Sequence, residues 1–196
     1  MLDFLLSLDT QLFLFLNGLH NSFFDTVMYW ISHKFFWVPF YVFLVVLLYR
    51  FYGAKKGTVF TLLIVITFAL TNTLSVEAFK NVFERPRPCH NELIQSQVHL
   101  VNNHCGGAWG FVSSHASNVF GLATLVFFFL KSRIKGIGWS IFLWASAISY
   151  SRIYLGVHYP LDILCGGLLG VVCAILVFQS AKQLKLINLN LMRQTT

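Results

Sequence analysis

Charge is what this sequence has least of. Asp, Glu, Lys and Arg make up 11% of its 196 residues, against about 25% in an ordinary soluble domain, which excludes a disordered tail, a nucleic-acid arm and most soluble enzymes. Acids are the scarcer sign, with 7 Asp and Glu against 14 Lys and Arg for a net charge of +7. No basic run exceeds two residues, so the surplus reads as membrane topology and no nucleic-acid partner is expected. Solenoid-length repeats and low-complexity segments are also missing, and the length suits one domain over 1–196.

What fills the chain is apolar: 57% of it, with a mean hydropathy of +0.69. Five runs contain no Asp, Glu, Lys or Arg: 35–49, 58–76, 113–130, 136–151 and 163–181. A helix needs roughly 20 apolar residues to cross about 30 Å of hydrocarbon, and flanking aromatics such as Phe51, Tyr52 and Tyr154 complete the shorter runs at the interface. Backbone amides in lipid must be bonded internally. The sequence therefore predicts an all-α, polytopic membrane helix bundle with five or six transmembrane helices. The first 33 residues are apolar but broken by Asp9, Asn17, Gly18 and His20, and predict an interfacial helix in preference to a sixth crossing. Asp3 and Asp9 do not fit the basic start of a signal peptide.

If the five runs alternate, Arg50, Lys55, Lys56, Lys131, Arg133, Lys135, Lys182, Lys185 and Arg193 share one side, without any acid. Cytoplasmic segments near spans are enriched in Lys and Arg, so the other side, with all the acids, should face the periplasm or exterior of an inner cell membrane. That side holds the long segment 77–112 and the short one 152–162.

Unusual residues gather there. Lys80, Arg87 and Arg152 are three cations at a membrane surface, and guanidinium forks match phosphate oxygens while lysine adds a point charge. Ser113 and Ser114 fall at the expected start of a helix, where free amides hold anions. By spacing alone, the same residues serve equally as head-group anchors and a helix cap. His158 and Asp162 are four apart, so a carboxylate is within reach of one imidazole nitrogen while the other stays available for attack. His115, at the outer end of another run, offers a second imidazole for proton transfer near neutrality.

These residues resemble the type 2 phosphatidic acid phosphatase family of membrane lipid phosphatases, which shares its site with vanadium haloperoxidases. The family's K-x6-R-P motif is met by Lys80 and Arg87-Pro88, and its S-R-x5-H-x3-D motif by Ser151-Arg152, His158 and Asp162. Its P-S-G-H motif appears as Val112-Ser113-Ser114-His115, which departs at the first and third positions. The resemblance covers about 77–170. It implies a phosphohistidine on His158, oriented by Asp162, with His115 protonating the leaving oxygen. Lys80, Arg87, Ser113, Ser114 and Arg152 would hold the phosphate, with no metal and no cofactor. It implies a membrane lipid substrate, undecaprenyl diphosphate before phosphatidylglycerophosphate, phosphatidate or lipid A. A lipid-binding or transport protein is the non-enzymatic alternative, disfavoured by the lack of Asp, Glu, Lys and Arg within the runs. Glu84, Arg85 and His90 border the site and read as solvated loop surface.

Cys165 and Cys173 lie within the last run and read as small packing residues. Cys89 and Cys105 lie in the outer segment, where a disulfide closing about 15 residues contributes roughly 3 kcal/mol. A zinc clip with His90, His99 and His104 is the competing reading.

Overall fold

The computed structural model describes residues 2–187, so Arg193 and the end of the 1–196 domain lie outside the described residues. Six helices make the fold, and no strand occurs among the described residues: α1 (Leu2–Gly18), α2 (Ser22–Ser32), α3 (Val38–Leu74), α4 (Ser114–Leu130), α5 (Ile137–Tyr154) and α6 (Pro160–Gln183). Gly53 interrupts α3 with a φ of 72° and a ψ of 172°, a conformation open to glycine because it has no Cβ. The break folds α3 into two arms, with Tyr49 and Thr58 hydroxyls 2.9 Å apart and the Tyr52 and Phe60 rings in edge contact. Each of the five apolar runs therefore appears as a helix or a helical arm.

Two segments, Lys34–Phe83 and Pro160–Gln183, are long and apolar enough to cross a membrane, and Ser114–Leu130 is a shorter apolar helix. α4 is central: Leu125, Val126, Phe129 and Leu130 are buried against Leu48 and Phe60 of α3, Ile141 and Ala145 of α5 and Ala174 of α6. The outside is apolar too, with Phe43, Leu62, Leu143, Leu164 and Leu168 exposed. An exterior carrying this many exposed large apolar side chains fits lipid.

α4 and α6 approach closely because small residues face each other. A Cβ on Gly166 would stand 2.6 Å from the Ser113 carbonyl oxygen, so only glycine admits this separation. At the far end, the Arg133 guanidinium lies 5.3 Å from the centre of the Tyr52 ring. That contact brings the Gly53 turn, with Arg50, Lys55 and Lys56, together with the α4–α5 turn.

α1 carries three buried residues four apart, Asp9, Phe13 and Asn17, while Phe4 and Phe15 are exposed. Residues at this spacing form one stripe of a helix. Asn17 donates to the carbonyl of Tyr154 at 2.8 Å and accepts from the amide of His99. Phe13 meets the Tyr159 ring, and Asp9 accepts from the Leu161 amide at 2.8 Å. The polar residues that break the apolar pattern of α1 are thus its attachments to the α5–α6 connection.

Candidate active site

After Leu74 the chain widens into a π-helical turn, Ser75–Lys80, and the helix stops after Phe83 with Glu84 left-handed at φ 46°. Wide turns of this kind recur at functional sites. Arg87 then follows in extended backbone, as proline on either side requires. This stretch is tied to the loop before α4: Arg87 N–H donates to Ala108 O at 3.1 Å, and Gly110 N–H donates to Arg85 O at 2.8 Å. A disulfide joins Cys89 and Cys105, whose Cα atoms are 6.0 Å apart. The bond consumes both thiols, and zinc binds thiolate, so His90 beside them has no thiolate partner for a clip. His99 is engaged elsewhere, 2.9 Å from Asp25.

His158 and Asp162 meet as the spacing predicts, by a local device it did not reveal. His158 precedes α6, and Asp162 reaches back from the first turn. Asp162 Oδ2 is 3.2 Å from His158 Nδ1 and accepts from the Tyr159 amide at 3.0 Å. The His158 amide donates to Arg152 O at 3.2 Å, anchoring the loop to the end of α5. Arg87 Nη1 lies 3.3 Å from His158 Nε2 and donates to Val157 O at 3.2 Å. Burial, reinforced by the charges of Arg87, Arg152 and Lys80, pushes the His158 imidazole well below its usual pKa. The environment disfavours the charged ring, and pairing of Nδ1–H with the carboxylate puts the lone pair on Nε2, facing Arg87.

Lys80 donates to Ser114 Oγ at 3.0 Å, and Ser114 Oγ is 2.7 Å from Ser75 Oγ. Ser113 is the N-cap of α4, its hydroxyl accepting from the Ala116 amide at 3.4 Å. Of the two serines, Ser114 meets a site cation, while the Ser113 hydroxyl accepts in the cap and keeps its own O–H to donate. Arg152 donates from Nη1 to Ser32 Oγ. Arg152 and His115 line a cavity of about 500 Å³ together with Tyr29, Ser32, His33 and His104. The charges of Arg152, Arg87 and Lys80 bear on His115 as they do on His158. All eight residues singled out in the sequence for catalysis or phosphate binding thus lie at one end of the bundle.

Two buried donors there, Arg87 Nε and Arg152 Nε, have no hydrogen-bond partner. Unpaired buried donors are rare in folded proteins, and both belong to guanidinium groups whose chemistry suits an anion. Chemically the site offers a neutral nucleophilic imidazole, a second imidazole and a ring of cations, the requirements of phosphoryl transfer.

Arg85 overturns its reading as solvated surface. Its side chain is 17% exposed and bridges two carboxylates, Nη1 to Asp162 Oδ1 at 2.9 Å and Nη2 to Asp9 Oδ2 at 2.7 Å. Sequence reasoning missed both Asp9 and Arg85 as members of this cluster. The one signal available was an acid within an otherwise apolar helical stripe, four residues before Phe13 and eight before Asn17.

Residues 58–185 match the PAP2 superfamily. A lipid A 4'-phosphatase of Bacteroides thetaiotaomicron is 36% identical over 87% of this chain and 75% of its own length. Another, from Porphyromonas gingivalis, is 30% identical over 91% and 75%. Undecaprenyl-diphosphatase BcrC of Bacillus subtilis is 24% identical over 89% and 85%. Among solved structures, LpxE of Aquifex aeolicus superposes with a TM-score of 0.64 at 26% identity, covering 88% of this chain and 95% of that one. A transmembrane PAP2-type phosphatidylglycerolphosphate phosphatase from Bacillus subtilis has the same fold, with a TM-score of 0.70 at 23% identity over 91% and 87%. The chain therefore belongs to the PAP2 superfamily and is a membrane lipid phosphatase of that type.

Proposed function

We propose that this phosphatase removes a phosphate monoester from a lipid A-type glycolipid at the extracytoplasmic face of the cell membrane, through a phosphohistidine on His158. The observation that carries the chemistry is the pairing of His158 Nδ1 with Asp162 at 3.2 Å, which leaves Nε2 beside Arg87 as the free nitrogen. Nε2 attacks phosphorus, the bond to the lipid oxygen breaks, and His115, protonated once the negative charge of the bound phosphate offsets the surrounding cations, gives that oxygen its proton. Water then attacks the phosphohistidine, His115 takes the water's proton, and the P–N bond breaks to release inorganic phosphate. Asp162 stabilises the charge that develops on the imidazole. Lys80, Arg87 and Arg152 stabilise the equatorial oxygens, and Ser114 holds Lys80 in place. Fixed cations of this kind stabilise the charge that Mg²⁺ neutralises in other phosphoryl-transfer enzymes, so no metal takes part in this scheme.

The substrate preference departs from the expectation of undecaprenyl diphosphate. Relatives named for lipid A match at 36% and 30% identity, against 24% for the undecaprenyl-diphosphatase. In this reading the two arms of α3, α4, α5 and α6 give five crossings, and the basic turns opposite the site face the cytoplasm. α1 lies along the membrane surface. Supporting this, Asp9, Phe13 and Asn17, spread over about 12 Å of helix, touch the start of α6, the α5–α6 connection and the end of α5 in turn.

The test is phosphate release in detergent with excess EDTA from lipid A, undecaprenyl diphosphate, phosphatidylglycerophosphate and phosphatidate in parallel. Lipid A is expected to be the preferred substrate. Preference for another arm overturns the substrate, and no release from any arm by folded protein overturns the enzymatic scheme in favour of lipid binding or transport.

A further inference from the structure

Asp162 has three donors. His158 Nδ1 and the Tyr159 amide meet Oδ2, at 3.2 and 3.0 Å, and Arg85 meets Oδ1 at 2.9 Å. The Arg85 contact is the one that fixes the far oxygen, and so the plane of the carboxylate presented to His158. Arg85 is itself held on two sides: its guanidinium lies 4.0 Å from the centre of the Tyr159 ring, and Asp9 takes its other nitrogen at 2.7 Å. Asp9 also accepts from the Leu161 amide at 2.8 Å, the residue before Asp162. A single side chain of α1 thus fixes both the partner of Asp162 and the first turn of the helix that carries it.

Charge points the same way. Paired with Asp162 alone, Arg85 would neutralise the carboxylate just where His158 needs negative charge as it becomes a phosphorylated cation. Sharing Arg85 with Asp9 leaves the two carboxylates and one guanidinium at a net −1, in a site where Asp9 and Asp162 are 4% and 0% exposed. Water screens such a buried group less than an exposed one, so the extra charge is felt at His158.

We propose that Asp9 and Arg85 are positioning residues for the His158–Asp162 dyad, so that α1, which lies outside the matched segment 58–185, sets the rate of a reaction it does not touch. The inference rests on His158 as the nucleophile. It also competes with a plainer role, in which Asp9 only helps the chain fold by capping α6.

The experiment is pre-steady-state burst kinetics of the full chain in detergent, with 4'-³²P-labelled lipid A in excess over enzyme and steady-state KM measured alongside. The burst amplitude counts active sites and the burst rate constant reports positioning. In Asp9→Asn the amplitude stays near wild type and KM holds, while the rate constant falls about 10- to 100-fold, the scale of a sub-ångström to 1 Å misplacement. Arg85→Gln falls similarly, and adding Asp9→Asn to it costs little more, because Asp9 acts through Arg85. Asp3→Asn, on the exposed face of the same helix, leaves all three values unchanged. If Asp9→Asn does not fold, Arg85→Lys substitutes, since one ammonium cannot bridge both carboxylates in the geometry of a fork.

A wild-type rate constant in Asp9→Asn, a loss that tracks amplitude alone, or losses that multiply in the double variant each overturns the proposal. His158→Ala run alongside separates the two levels. If it still turns over, the nucleophile and this inference both fail. If it is inactive while Asp9→Asn is normal, only the inference fails.

Discussion

Gly166→Ala tests whether the close approach of α6 to the start of α4 sets the spacing of the two histidines. An alanine Cβ would stand 2.6 Å from Ser113 O, 3.2 Å from Ser113 N and 3.3 Å from Ala116 Cβ. Ordinary contact begins near 3.4 Å, so the helices must separate by about 0.8 Å or strain by the equivalent, and overpacking of this kind costs about 1–3 kcal/mol. Ser113 is two residues before His115, and Asp162 is one turn before Gly166. The displacement therefore falls between the proposed general acid and the proposed nucleophile, where 1 Å is worth about 100-fold in rate. We expect kcat to fall about 10- to 100-fold and thermal stability in the same detergent to drop. Gly18→Ala, whose Cβ meets nothing within 4 Å, should change neither. Wild-type kcat and stability in Gly166→Ala would refute the argument that this contact sets the site.

His115→Ala should lower release from an alkyl lipid phosphate by about 10²- to 10⁴-fold. The loss on a p-nitrophenyl ester, whose leaving group needs no proton, should be much smaller, and equal losses on the two would remove His115 from the acid role. Replacing Cys89 and Cys105 by serine opens a closure of 16 residues, worth about 3 kcal/mol by loop entropy. It also loosens the segment carrying Arg87, two residues before Cys89. A lower unfolding temperature with a raised KM is expected, and an unchanged KM would detach the disulfide from the site.

The helices were legible because their signal is local: the five uncharged runs became the arms of α3, α4, α5 and α6. The candidate-site residues were legible through the family motifs they resemble, and the fold gathers them at one end of the bundle. Asp9 and Asn17 were not, because their partners lie far along the chain, Arg85 being 76 residues from Asp9 and Tyr154 being 137 from Asn17. In the sequence they look like interruptions of an apolar helix, and in the fold they are its attachments. Arg85 likewise looked like loop surface, since nothing adjacent in sequence announces a bridge between two distant carboxylates. The π-helical turn that ends at Lys80 left no mark in the sequence either. Gly166 was visible as a residue but not as a requirement, which appears only once Ser113 is placed against it.

If His158 carries the phosphate, the intermediate can be trapped by an acid-free denaturing quench of the enzyme with ³²P-labelled lipid A within the first turnover, followed by mapping of the bound label. The expected result is an acid-labile, alkali-stable label on the peptide containing His158, absent from His158→Ala, which also releases no phosphate. Label on another residue, or wild-type turnover by His158→Ala, would contradict it.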